Sequence, residues 1–268
     1  MPISSCPYLA RLNTLLPDNY DRIARFYDVD MARNMPFDDV GFYVGLCAQV
    51  DGPVLELGCG NGRILLELAQ HGIAAIGIDA SAGMLDELRR KAALRSLPAR
   101  ALRMNLANLA LRPGFAAILC PYSLITYITD DQDVAQLLNR IHGLLAPGGM
   151  FVIDAFVPKP VVAQAEFRED YRRPFGTHTL ARSKRIQPLG PATNRIERRY
   201  QVLARDGTVL EQVDVAEIIR PCAPEALRQA VAAAGFVPGQ EWWDYGARPG
   251  PEHAQFFTLS AYAAPTAD

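Results

Sequence analysis

No GxxxxGK[ST] loop occurs in these 268 residues, which excludes the phosphate cradle of a P-loop nucleotidase. No CxxC pair occurs either. The five cysteines, Cys6, Cys47, Cys59, Cys120 and Cys222, are odd in number and scattered. They exclude a zinc-ligand pattern or a disulfide frame and predict reduced thiols in a cytoplasmic protein. There is no run of 18 apolar residues and no basic start leading into an apolar core, so neither a membrane span nor a signal peptide is expected. Charge of one sign is also missing: the net charge is −2. That argues against a nucleic-acid partner, whose binding leaves a basic footprint. No His/Asp pair or carboxylate cluster suggests a metal site.

What is present is alternation. Half the residues are hydrophobic, enough for one large α/β domain with its own core. Residues 7–50 read as a helical cap in pieces, with Tyr20, Ala24, Tyr27 and Met31 at helical spacing. Strand 53–58, helix 62–70, strand 73–79 and helix 81–95 follow. A short strand near 99–104, a strand at 115–120, a helix over 131–145 and a strand at 149–156 extend the series, with Pro147-Gly148-Gly149 as a turn. This order predicts a doubly wound, mostly parallel seven-stranded sheet covered on both faces. Segments 177–188, 193–204 and 208–220 instead alternate apolar and polar residues, an antiparallel meander. A helix over 223–234 and strands near 236–244 and 254–263 close the chain. The organisation expected is a cap over 1–50, a core from 51–157 and 221–268, and an antiparallel lid insertion over 158–220, all in one domain.

Chemistry concentrates between residues 54 and 79. The apolar run Val54 to Leu57 leads into Gly58-Cys59-Gly60-Asn61-Gly62, then a helix, then a second apolar run that stops at Asp79. Glycines let the backbone turn sharply and let a ligand approach the main chain. An acid ending the second strand is placed to accept hydrogen bonds from both hydroxyls of a ribose. The spacing is GxGxG with Arg63 next, not the GxGxxG of a dinucleotide site.

VLELGCGNG, with Glu56 two residues before Gly58, resembles motif I of the class I S-adenosylmethionine-dependent methyltransferases, and Asp79 in GIDAS resembles their ribose-binding acid. The resemblance spans roughly residues 18–264 and implies a Rossmann-like fold and S-adenosylmethionine as cofactor, leaving as S-adenosylhomocysteine. Asn105, in Arg103-Met104-Asn105-Leu106, stands where the family carries an acid beside the adenine, and Ala117 to Ser123, including Cys120, resembles the fourth-strand motif beside the sulfonium. Within the class the chain looks like small-molecule N-methyltransferases acting on amino sugars and glycine, which often carry a tyrosine-rich leading helix like Tyr20 to Asp28 and an antiparallel lid. In several of these a His or aromatic residue four positions after the fourth-strand Ser/Asn faces the acceptor; Tyr127 holds that position after Ser123.

The expected cofactor residues are therefore Tyr20, Tyr27, Glu56, Gly58, Gly60, Gly62, Asp79, Met84, Asn105, Leu106 and Cys120. Met84 and Leu106 would sandwich the adenine or serve as ordinary core, and Tyr20 and Tyr27, seven apart on one helical face, would close over the cofactor or simply pack. Tyr127, Ser123 and, in the lid, His178 are the catalytic candidates. Tyr127 is a poor base unless its pKa falls well below about 10. Tyr122, Tyr127 and the aromatic cluster Trp242, Trp243 and Tyr245 are the acceptor candidates; strand alternation leaves room for only one of the two tryptophans in a pocket. Between residues 159 and 205 the lid holds eleven Lys or Arg against four acids. These charges suit a solvated strand face, an anionic acceptor or RNA; Cys120-Pro121-Tyr122-Ser123 lacks the head of the N/D-P-P-Y/F motif of adenine N-methyltransferases. The expected function is methylation of a small molecule, at nitrogen, by a monomer or homodimer. Two readings stay beside it: a small-molecule O-methyltransferase and a noncatalytic S-adenosylmethionine-binding module.

Overall fold

A computed structural model describes residues 17–190 and 192–263. The first 16 residues of the expected cap, Cys6 among them, lie outside the described residues. The cap begins with helix α1 (Pro17–Ile23), tightens into a 3-10 turn (Ala24–Phe26), and continues as α2 (Tyr27–Asn34) and α3 (Asp39–Cys47). The leading helix expected to carry Tyr20 and Tyr27 on one face is thus broken between them.

The core alternates as its apolar runs require. Strands β1 (Val54–Leu57), β2 (Ala75–Asp79), β3 (Ala101–Arg103), β4 (Phe115–Cys120) and β5 (Leu145–Phe156) run parallel, separated by helices α4 (Leu65–Gln70), α5 (Ala82–Leu94) and α6 (Asp131–Leu144). All four residues of β1 are buried, as expected of a central parallel strand covered on both faces. Helix α5 starts where the Ser81 hydroxyl accepts the Met84 N–H, and α6 where Asp130 accepts from Gln132. Helix α6 turns Val134, Leu137, Leu138, Ile141 and Leu144, at helical spacing, onto the sheet.

Past the lid come α7 (Pro224–Ala233), β10 (Phe236–Trp243) and β11 (Phe256–Ala263), giving the sheet order β10-β11-β5-β4-β1-β2-β3. Only β11 runs against the rest. The chain reverses its direction of growth at β1, whose neighbours are β2 and β4, so a crevice opens beyond the carboxyl ends of these strands, where such sheets bind ligands.

The structure corrects two expectations here. Pro147-Gly148-Gly149 is no turn between helix and strand: β5 begins at Leu145, directly after α6, and the pairing with β4 jumps between Phe115↔Leu145 and Ala117↔Met150. Gly148 absorbs the irregularity with a φ of 71°. The lid has four strands, β6 (Arg168–Phe175), β7 (His178–Pro188), β8 (Asn194–Leu203) and β9 (Val209–Ile219), in that spatial order. Strand β6 escapes the sequence pattern because, of its eight residues, only Tyr171 is buried.

The lid sheet turns one half of its inner face onto the cap. Leu180, Tyr200, Val202, Val213 and Val215 pack on Ile23 and Phe26, whose ring stacks on Tyr200 at 5.6 Å. A buried carboxylate fixes the join. Asp30 of α2 accepts hydrogen bonds from Tyr171, from Tyr200 at 2.6 Å and from the Arg182 guanidinium at 2.8 Å. Among the described residues no helix is long and apolar enough to cross a membrane.

Candidate active site

Gly58 and Gly60 leave β1 with φ of 63° and 52°, the left-handed region in which a side chain is strained. A Cβ on Gly58 would come within 2.9 Å of Leu124. The Asp79 carboxylate at the end of β2 holds this turn: one oxygen accepts the Gly60 N–H at 2.9 Å, the other the Ser81 N–H at 2.8 Å. Gly62 serves packing instead. A Cβ there would meet Leu88 and Leu66 at about 3 Å, so it lets α4 and α5 close together and does not reach the cavity.

Beyond these strands lies a cavity. Gly58, Gly60 and Asp79 form one end, and Met84, Met104 and Leu106 one apolar wall. Tyr20, Tyr27, Tyr122 and Tyr127 line the cavity as well. Although the leading helix is broken, the Tyr20 and Tyr27 rings still meet edge to face at 6.4 Å, and the Tyr20 and Tyr127 hydroxyls hydrogen-bond at 2.8 Å. The cap is tied down by Asp21, which accepts the Ser81 hydroxyl at 2.6 Å and the Gly83 N–H at 2.7 Å, and by Asp28, which accepts the Asn61 amide at 2.9 Å.

Burial pushes the hydroxyls of Tyr20, Tyr27 and Tyr127 up from the ordinary tyrosine value, and that of Tyr122 up to about 12. The tyrosine wall is therefore protonated at neutral pH, so Tyr127, a poor base at its ordinary value, is a poorer one here and can orient a partner by hydrogen bonds. Glu56 is 2 % exposed and burial raises its carboxyl to about 8. Its Oε2 has no hydrogen-bond partner among the described residues.

Several expected site residues lie elsewhere. Cys120 is fully buried in the core, and Pro121 after it reaches the cavity. Asn105 turns its carbonyl oxygen to the Ala107 N–H at 2.9 Å and lies off the cavity, while its neighbours Met104 and Leu106 line it. Ser123 is fully buried, its hydroxyl accepting the Phe156 N–H at 2.9 Å, a structural bond that leaves it no catalytic reach. His178 is exposed at the β6–β7 hairpin, within 3.3 Å of the Thr177 hydroxyl and off both cavities. Trp242 packs on Phe42 at 5.1 Å and Trp243 on Phe257 at 4.9 Å, opposite faces as alternation requires, but neither lines a cavity. Tyr245 is buried and donates to Asp154 at 2.9 Å. Only Tyr245 is core; the tryptophans are half-buried, and they miss the crevice because β10 lies at the sheet's edge, beyond β11 and β5.

Asp154 is the residue the sequence hid. It sits in an apolar run of β5, is 0 % exposed, and accepts four hydrogen bonds: Ser123 N–H at 2.6 Å, Tyr122 N–H at 2.9 Å, and the hydroxyls of Tyr43 at 2.6 Å and Tyr245. It thereby pins Tyr122 and Ser123 in left-handed conformation, with φ of 54° and 57°. A charged residue inside an apolar strand was the available signal. Tyr122 so placed also lines a second cavity, of about 420 Å³, between the end of β5 and the polar half of the lid's inner face.

Residues 54–149 match the family model described as a methyltransferase domain. The chain carries a methyltransferase domain on the class I S-adenosylmethionine-dependent methyltransferase fold. A putative methyltransferase of Geobacillus is 25% identical over 50% of this chain and 56% of its own length, so the chain spans about half of that relative. The demethylmenaquinone methyltransferase of Thermus thermophilus is 29% identical over 72% of this chain and 78% of its own. Among solved structures, an S-adenosylmethionine-dependent methyltransferase from Clostridium acetobutylicum superposes with a TM-score of 0.76 at 18% identity, over 91% of this chain and 99% of that one. The sugar N-methyltransferase KedS8 from Streptoalloteichus does so at 0.66 and 22%, over 87% and 91%. The methyltransferase domain contributes the glycine turn, Asp79 and Met84; the tyrosines at 20 and 27 and the lid lie outside residues 54–149.

Proposed function

We propose that this protein transfers a methyl group from S-adenosylmethionine to a small molecule, at nitrogen. The observation that carries the reading is a pair of cavities, one bounded by the glycine turn and a strand-end acid, the other under the lid, with Tyr122 in the lining of both. The residues fit the cofactor. Asp79 would accept both ribose hydroxyls and the apolar wall of Met84 and Leu106 would hold the adenine, whereas Glu56, buried before the glycine turn, does not line the cavity. When bound, S-adenosylmethionine supplies a methyl carbon on a cationic sulfur, open to in-line attack.

The chain then has to position and to exclude. Fixing two reactants in line contributes about 7–11 kcal/mol toward the barrier. The tyrosine wall keeps water from the reacting atoms, and the linked Tyr20 and Tyr127 hydroxyls can accept a hydrogen bond from an acceptor amine and so aim its lone pair. The named activity of the KedS8 neighbour supports nitrogen as the acceptor atom, and so does the protonated state of the wall, which suits a nucleophile arriving neutral better than a phenol that must be deprotonated. Calorimetry with S-adenosylmethionine and with NAD tests the cofactor; tighter binding of NAD sinks the reading. A screen of amines, heterocycles, phenols and quinols, read by product mass and site, tests the acceptor, and product at oxygen or carbon alone overturns nitrogen.

A further inference from the structure

The lid's inner face divides into two halves. Its apolar half rests on the cap; its other half roofs the second cavity with side chains at alternate positions of β7 and β8, the same parity as buried Leu180 and Tyr200. This half is cationic. Lys159, Arg182, Lys184 and Arg198 all line the cavity and no acid does. Lys184 and Arg198 stand directly opposite each other across the β7–β8 ladder, an arrangement of like charges that destabilises a sheet unless something neutralises it.

Arg182 is already committed: its side chain is 5% exposed and its guanidinium is held by Asp30 at 2.8 Å, Asp170 at 3.0 Å and Asn34 at 3.2 Å. The other three keep capacity. Among the described residues Lys184 pairs with Asp170 alone, at 3.1 Å, and Arg198 gives one nitrogen to Glu217. Lys159 is exposed at the rim and makes no side-chain hydrogen bond among the described residues. Asp170 and Glu217 neutralise part of the charge; Glu217, paired with Ile196 across the β8–β9 ladder, shares this inner face, and neither carboxylate lines the cavity.

We propose that the second cavity is the acceptor's site and holds the acceptor by an anionic group, a carboxylate or a phosphate, on Lys184, Arg198 and Lys159. The inference rests on the methyltransferase reading and gives its acceptor a chemistry: an anionic group under the lid and the methylated atom toward Tyr122, the residue that lines both cavities. A guanidinium and two ammonium groups around one anion make charge-assisted hydrogen bonds. The apolar residues next to them on this face, Ile186 and Ile196, with Ile219 and Phe156, would cover the uncharged part of the molecule.

The test is thermal unfolding of the full chain saturated with S-adenosylhomocysteine, titrated with malonate, pyrophosphate or sodium chloride at constant ionic strength. The expected result is saturable stabilisation by malonate or pyrophosphate beyond that by chloride, with affinity lowered about tenfold in Lys184→Gln and measurably in Lys159→Gln. Whichever anion protects assigns carboxylate or phosphate. Lys159→Gln, at an exposed residue, guards against loss of folding. Protection by neither anion, or protection unchanged in both variants, overturns the proposal. Failure of the wild-type protein to respond to S-adenosylhomocysteine itself would instead sink the methyltransferase reading, so the two failures are distinguishable.

Discussion

Replacing Asp154 by Asn tests whether one buried carboxylate places Tyr122, the residue that lines both cavities. The substitution keeps the shape and removes the charge. One oxygen of Asp154 accepts a single N–H, from Ser123; the other accepts the Tyr122 N–H and two tyrosine hydroxyls. An amide in this place directs its NH2 group at least at one of these donors. Hydrogen bonds to a charged group contribute about 1.5–3 kcal/mol each, and a donor left unsatisfied in the interior costs about 1–3 kcal/mol. Tyr122 and Ser123, both left-handed, hold about 1–3 kcal/mol of strain apiece that the carboxylate offsets. Because these terms do not add fully, the expected loss of stability is about 3–5 kcal/mol, or about 10 °C in Tm for a domain of this size. Urea unfolding followed by circular dichroism measures it. Tyr43→Phe and Tyr245→Phe should each cost about 1–2 kcal/mol, leaving the other donors in place. Methyl transfer should fall further in Asp154→Asn than affinity for S-adenosylmethionine, since the cofactor end is built on β1 and β2 while Tyr122 moves. An Asn variant within about 1 kcal/mol of wild type, with transfer intact, would refute the reasoning.

Asp79→Ala should weaken S-adenosylmethionine by about a hundredfold in calorimetry, the value of about 3 kcal/mol of charge-assisted hydrogen bonding; unchanged affinity removes the ribose assignment. Tyr127→Phe keeps the ring and deletes the hydroxyl bonded to Tyr20, so kcat/KM should drop about tenfold with cofactor affinity unaltered, and an unaltered kcat/KM strips the hydroxyl of its role. Glu56 gives a pH dependence. Its folded value, about 8, lies above the ordinary 4.5, so the proton prefers the folded state, and this group's contribution is full below about 4.5 and is withdrawn as pH climbs toward 8. The unliganded protein should therefore lose up to a few kcal/mol across that window and Glu56→Gln should flatten the loss; parallel profiles by urea unfolding at pH 5, 6.5 and 8 would contradict the burial argument.

The parallel core was legible because each of its elements announces itself locally. An apolar run as short as Val54 to Leu57, a helix stripe such as Val134 to Leu144, and glycines forced by positive φ leave marks within a few residues. Asp79 and the glycine turn were legible for the same reason: the strand that ends and the loop that binds are contiguous in sequence. Ser123, Cys120 and the tryptophans misled because residue type and spacing say what a side chain can do, not whether it faces the cavity or the core.

The sequence by itself determined the alternation of strand and helix, the glycine turn with its acid, and a lid of antiparallel strands after residue 156. Tertiary structure decided the rest. Asp30 meets Tyr200 across 170 residues, Asp154 meets Tyr43 across 111, and Tyr20 meets Tyr127 across 107. Such pairs leave no periodic trace, because a buried polar group is satisfied by whatever packing brings near, and that is fixed only when the sheet order and the lid's docking are complete. The same packing placed Lys184 opposite Arg198 and turned a basic stretch of sequence into one wall of a cavity.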